Sequence, residues 1–116
     1  MSHEKRFGDV IRARREEMQI TLRKFAATVE MSPTYLSKVE RGEFPPPAEK
    51  KILAIAKHLD LDSDELLGLA GRVASDVSKI IQKQPTEMAS FLRAAGRLPK
   101  GELERMLRQL QKRCKE

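Results

Sequence analysis

The chain has 116 residues, 40% hydrophobic, 34% charged and 4% aromatic, with a single cysteine and a formal net charge of +6. This length supports one modest core, as a single domain or a domain with an extension. No apolar run approaches the roughly 18 residues of a membrane span, the N-terminus carries no signal-peptide pattern, and the lone Cys114 has no intrachain disulfide partner, so a reducing cytoplasmic setting is expected.

Helix formers abound and period-2 runs of β-branched residues are absent, which predicts an all-α fold. Helix 1 is expected from Lys5 to Met18, with Phe7, Val10, Ile11 and Met18 inward. Ile20 plugs the link. Thr21 caps helix 2, where Leu22, Phe25, Ala26 and Val29 recur at helical spacing. Glu30 and Met31 form the turn, with Met31 toward the core. Glu43 to Pro47 reads as a rigid loop, because three consecutive prolines exclude a helix. Helix 4, about Ala48–Leu59, aligns Ile52, Ile55, Ala56 and Leu59. Ser63 is expected to cap helix 5, which carries Leu66, Leu67 and Leu69 and stops by Gly71.

The stretch Ser32–Gly42 between the turn and the proline loop is the most informative. Ser32 suits an N-cap, Pro33 the first helical position and Gly42 the left-handed position past the end. At about 100° per residue from Pro33, Ser37 falls at about 40°, Arg41 at about 80°, Thr34 at about 100° and Lys38 at about 140°. On the same wheel Tyr35 falls at about 200°, Val39 at about 240°, Leu36 at about 300° and Glu40 at about 340°. One side is small, hydroxylic and cationic, and the other is apolar apart from one acid. Helices 2 and 3, joined by a short turn, therefore read as a helix-turn-helix whose second helix can enter a DNA major groove.

Total charge is not itself evidence for DNA binding. Residues 1–71 hold twelve Lys/Arg against twelve Asp/Glu, and residues 72–116 hold eleven against five, which supplies the whole +6. Within the first part, however, Asp60, Asp62, Asp64 and Glu65 gather away from helix 3.

Beyond Gly71 three further amphipathic segments follow. The first holds Val73, Val77, Ile80 and Ile81. Pro85 opens the second, with Met88, Phe91, Leu92 and Ala95. Pro99 opens the third, with Leu103, Met106, Leu107 and Leu110. About 45 residues are too few for an independent core. The stripes must be covered by the bundle, by another subunit or by a partner protein, with Phe91, Leu92, Leu103, Met106, Leu107 and Leu110 as the contact residues. Arg105, Arg108, Lys112, Arg113 and Lys115 give the last helix a solvated basic face, with DNA-backbone contact as the alternative. The expected division is a DNA-binding domain over 1–71 and a dimerisation or partner-binding segment over 72–116.

Residues 7–71 resemble the phage-repressor type of helix-turn-helix domain, the XRE or lambda-repressor-like family. The resemblance rests on Phe7-Gly-Asp-Val-Ile-Arg-Ala-Arg-Arg-Glu-Glu-Met18, Thr21-Leu-Arg-Lys-Phe-Ala26, Ser32-Pro-Thr-Tyr-Leu-Ser-Lys-Val-Glu-Arg-Gly42 and Asp64-Glu-Leu-Leu67. It implies a five-helix bundle, here followed by a short helical segment, in a bacterial or phage cytoplasmic protein. It implies that Pro33, Thr34, Ser37 and Lys38 face bases, that Arg23, Tyr35 and Arg41 meet phosphates, and that Glu40 pairs with Arg15. Two residues depart from the family pattern. Leu22 stands where many members have glutamine, and Glu30 where the turn usually has glycine. A left-handed Glu30 would carry strain of about 1 kcal/mol.

The expected function is a sequence-specific double-stranded DNA-binding regulator, a repressor acting as a homodimer on a palindromic operator. The alternative is an antitoxin or regulator whose C-terminal segment binds a partner protein. No enzyme is expected. His3 and His58 are isolated, and no metal-ligand spacing, nucleophile motif or phosphate-binding glycine loop occurs. Asp60, Asp62 and Asp64 lack the glycine and later glutamate of a calcium loop, so they read as a helix start. No cofactor or metal is expected.

Overall fold

A computed structural model of the chain describes residues 6–115; His3 and Lys5 lie outside them. The described residues form eight helices and no strand: α1 (Phe7–Glu17), α2 (Leu22–Thr28), α3 (Pro33–Glu40), α4 (Glu49–Leu59), α5 (Ser63–Leu69), α6 (Ser75–Lys83), α7 (Pro85–Ala95) and α8 (Lys100–Cys114). They divide into two units, Met1–Ala74 and Ser75–Glu116, so the break falls three residues beyond the expected 71/72.

In the first unit α2, α3 and α5 start on side-chain caps, and all five helices stop on one repeated device. The Thr21 hydroxyl accepts from the Lys24 N–H at 3.1 Å, and the Ser32 hydroxyl from the Tyr35 N–H at 3.0 Å. The cap of α5 is Asp62, which accepts from the Glu65 N–H at 2.9 Å, and Ser63 is instead the first helical residue. An aspartate cap adds a negative charge at the positive end of the helix, which a serine does not.

At their C-termini, α1 to α5 all place a left-handed residue just past the helix: Gln19, Glu30, Gly42, Asp60 and Gly71. In each case the next N–H reaches back five residues, Ile20 to Arg15, Met31 to Ala26, Glu43 to Lys38, Leu61 to Ala56 and Arg72 to Leu67. This closure satisfies carbonyls that a helix end leaves orphaned. Only two of the five left-handed residues are glycine, so Gln19, Glu30 and Asp60 each carry steric strain of about 1 kcal/mol. At those three ends the following residue is apolar: Ile20, Met31 and Leu61 pack on the core and anchor the turn.

The core is made of Phe7 and Ile11 from α1, Phe25, Ala26 and Val29 around α2, Leu36 and Val39 from α3, Ile52, Ile55, Ala56 and Leu59 from α4, and Leu66 and Leu67 from α5. Each large side chain among them contributes roughly 1.5–3 kcal/mol by leaving water. Val10 packs half-buried against this cluster. Met18, expected inward, is exposed instead, as is Leu69. Met18 is the C-cap of α1 and Leu69 the last residue of α5, where the helical wheel ceases to dictate direction. Arg14 ties α1 to the end of α4 by donating from Nε to the Leu59 carbonyl at 2.8 Å.

In the second unit no residue of α6, α7 or α8 is buried.

Candidate nucleic-acid interface

Helix α3 is fastened to the bundle along one side and open along the other. Leu36 and Val39 are buried in the core. Glu40, 4% exposed at its side chain, receives two hydrogen bonds from Arg15 of α1, from Nε at 2.8 Å and from Nη2 at 3.0 Å. Arg15 uses its third nitrogen, Nη1, to donate to the Ile20 carbonyl at 2.7 Å. The hydrogen bond to Glu40 raises the guanidinium pKa against the lowering effect of burial, so Arg15 stays charged. A fork of this kind fixes both the distance and the rotation of α3 relative to α1.

Gly8 permits that closeness. A Cβ at Gly8 would fall within 3.0 Å of the carbonyl oxygens of Val39 and Glu40, which are backbone atoms and cannot swing aside. Sequence reasoning did not single out Gly8, because close backbone approach leaves no periodic signal.

The open side carries the candidate readers. Pro33 and Thr34 are exposed, and Ser37 and Lys38 are half-buried. Two hydroxyls, a pyrrolidine ring and an ammonium therefore share one face, and the hydroxyls can both donate to and accept from base edges. Ser37 also shares a small hollow with Arg12, Arg15, Leu22, Glu40 and Arg41. The departure at Leu22 thus puts an apolar group beside the ion pair, where it packs half-buried on the core.

Among the phosphate candidates, Arg23 is exposed in the first turn of α2 and Arg41 is exposed at the C-cap of α3. Arg41 Nε lies 2.6 Å from a Glu43 carboxylate oxygen. Tyr35 is half-buried and its ring leans on Phe44, centroids 5.7 Å apart. Lys38 Nζ sits 5.0 Å from the centroid of the same Phe44 ring, within cation–π range. Phe44 itself is held by its N–H, which donates to the Lys38 carbonyl at 3.2 Å. The loop after α3 thus props two of the candidate side chains. Phe44 was missed because it stands in a non-helical segment where spacing says nothing about direction.

A second contact that the sequence did not reveal sits at the turn. Lys51 of α4 donates from Nζ to the Val29 carbonyl at 2.8 Å and to the Glu30 carbonyl at 3.0 Å. Glu30 has φ +56°, so the turn keeps its left-handed residue without a glycine. A lysine ammonium placed on the two carbonyls just past α2 both satisfies them and faces the negative end of that helix.

A helix-turn-helix family model matches residues 11–66. The P22 c2 repressor, in a crystal structure with a synthetic operator, is 32% identical, with 54% of this chain and 94% of that chain covered and a TM-score of 0.50. This chain belongs to the XRE, lambda-repressor-like family of helix-turn-helix regulators. The solution structure of the P22 c2 repressor DNA-binding domain is also 32% identical, with 57% of this chain and 86% of that chain covered and a TM-score of 0.51. A chain of the SinR–SinI protein complex, 19% identical over 95% of this chain and 99% of that chain at a TM-score of 0.50, shows likeness of fold alone. No protein of curated function matches the chain.

In the second unit, Phe91 and Leu92 of α7 and Leu103, Met106, Leu107 and Leu110 of α8 are all 38–51% exposed. Phe91, Met106 and Leu110 come together around one shallow hollow, with Gln109 and Arg113 at its rim.

Proposed function

We propose that this family member is a sequence-specific double-stranded DNA-binding repressor that acts as a homodimer on a two-fold operator. The observation that carries the proposal is the polarity of α3. Leu36, Val39 and Glu40 are fastened inward, while Pro33, Thr34, Ser37 and Lys38 share the side that is not. In this reading those four meet base edges, and Arg23, Tyr35 and Arg41 meet phosphates, which set position without reading sequence. The P22 c2 repressor, which crystallises with an operator, supports the reading by its likeness over the same region. The exposed apolar residues Phe91, Leu92, Leu103, Met106, Leu107 and Leu110 supply the contact between subunits. Two recognition helices then meet major grooves about one helical turn, ~34 Å, apart.

The test is a gel shift of the full chain against its selected operator at moderate salt. Lys38→Ala loses a base contact and should weaken binding by roughly tenfold to a hundredfold, and relax the preference at one base pair of each half-site. Unchanged specific binding would show that the recognition face is wrongly assigned.

A further inference from the structure

The second unit leaves a surface without cover, and the charge pattern of α8 says what covers it. Leu103, Met106, Leu107 and Leu110 are all exposed, and at about 100° per residue they fall within roughly 100° of one another on the helix. Cys114, also exposed, continues that stripe about 30° from its centre. The flanks are polarised along the axis. The first turns carry Lys100, Glu102 and Glu104, and the later turns carry Arg105, Arg108, Lys112 and Arg113. On the wheel Glu102 and Arg113 border the same edge of the stripe, about 20° apart.

We infer that α8 pairs antiparallel with α8 of a second copy of this chain, about a two-fold axis between Met106 and Leu107. This deepens the homodimer reading and rests on it. Antiparallel stacking sets Leu103 opposite the partner's Leu110, and Met106 opposite the partner's Leu107, so the stripe covers itself. It also brings Glu102 within about two residues, ~3 Å along the axis, of the level of the partner's Arg113, on the same edge. The symmetry makes that ion pair twice. Parallel stacking would instead put the two copies of that edge on opposite sides of the seam, so neither Glu102 nor Arg113 would meet its opposite charge across it. It would also bring the two Cys114 residues side by side, whereas the antiparallel pair holds them ~22 Å apart along the axis.

The experiment uses the full chain. Light scattering first reports the oligomeric state, and mild oxidation followed by non-reducing electrophoresis reports Cys114. The expected result is a dimer that forms no Cys114 disulfide, because bridged cysteines need Cα atoms within about 7 Å. Glu102→Arg and Arg113→Glu alone should each weaken the dimer by about tenfold, through two exposed pairs turned repulsive. The two together should restore it. A dimer that cross-links through Cys114, or that ignores the single charge reversals, overturns the antiparallel pairing and leaves the homodimer standing. A chain that stays monomeric overturns both.

Discussion

Replacing Arg15 with methionine should cost this small bundle a large part of its stability. Both oxygens of the Glu40 carboxylate take their hydrogen bonds from Arg15, at 2.8 and 3.0 Å, and the carboxylate side chain is 4% exposed. The substitution keeps much of the aliphatic stem, so the change is mainly electrostatic. It leaves a buried, uncompensated carboxylate, a situation that typically costs about 3–5 kcal/mol. It also removes the donor to the Ile20 carbonyl, worth about 1 kcal/mol more. Domains of this size lose roughly 4–8 °C of Tm per kcal/mol, so a fall of at least roughly 15 °C is expected. The double variant Arg15→Met with Glu40→Met removes the charge together with its partner. It should recover most of the loss and lie within about 2 kcal/mol of the parent chain. Urea denaturation at neutral pH, followed by far-UV circular dichroism, measures all four members of the cycle. A single Arg15→Met that costs less than about 1 kcal/mol, or a double variant as unstable as the single, would refute the reasoning that this pair fastens α3 to α1.

Two further outcomes follow from backbone geometry. Glu30→Gly should stabilise the chain by up to about 0.5 kcal/mol, since relief of about 1 kcal/mol of left-handed strain at φ +56° is partly offset by the entropy glycine adds to the unfolded state, and thermal denaturation reads the rise. The two bonds from Lys51 survive in that variant because they go to carbonyls. Gly8→Ala should destabilise by roughly 2–3 kcal/mol and weaken DNA binding, because its methyl pushes against the Val39 and Glu40 backbone at the end of α3. An alanine variant of unchanged Tm would show that α1 and α3 can separate without loss.

Much of the first unit was legible because its signals are local. Thr21 and Ser32 cap as their side-chain chemistry predicts, and the apolar spacing of α2, α3 and α4 maps onto buried residues. The misreadings sit where two residues compete for one local role or where periodicity runs out. Asp62 and Ser63 are both competent caps, and the carboxylate one residue earlier is the one used. Met18 stands at a helix end and turns outward. The candidate site was legible in its outward face and not in its supports. Phe44 under Lys38, Lys51 on the turn and Gly8 against α3 are contacts between segments far apart in sequence or outside any helix, and nothing in their own spacing announces them. Glu40 is different: its inward position on the wheel calls for a partner, and the family resemblance named Arg15, to which the structure joins it.

Selection of binding sites from random double-stranded oligonucleotides, with the purified full chain, tests the central claim most directly. The account predicts a consensus of two inverted half-sites whose centres lie about one helical turn apart, enriched strongly at moderate salt by the parent chain and far less by Lys38→Ala. No enriched sequence, or one enriched equally by both proteins, would contradict it and direct attention to a protein partner for the second unit.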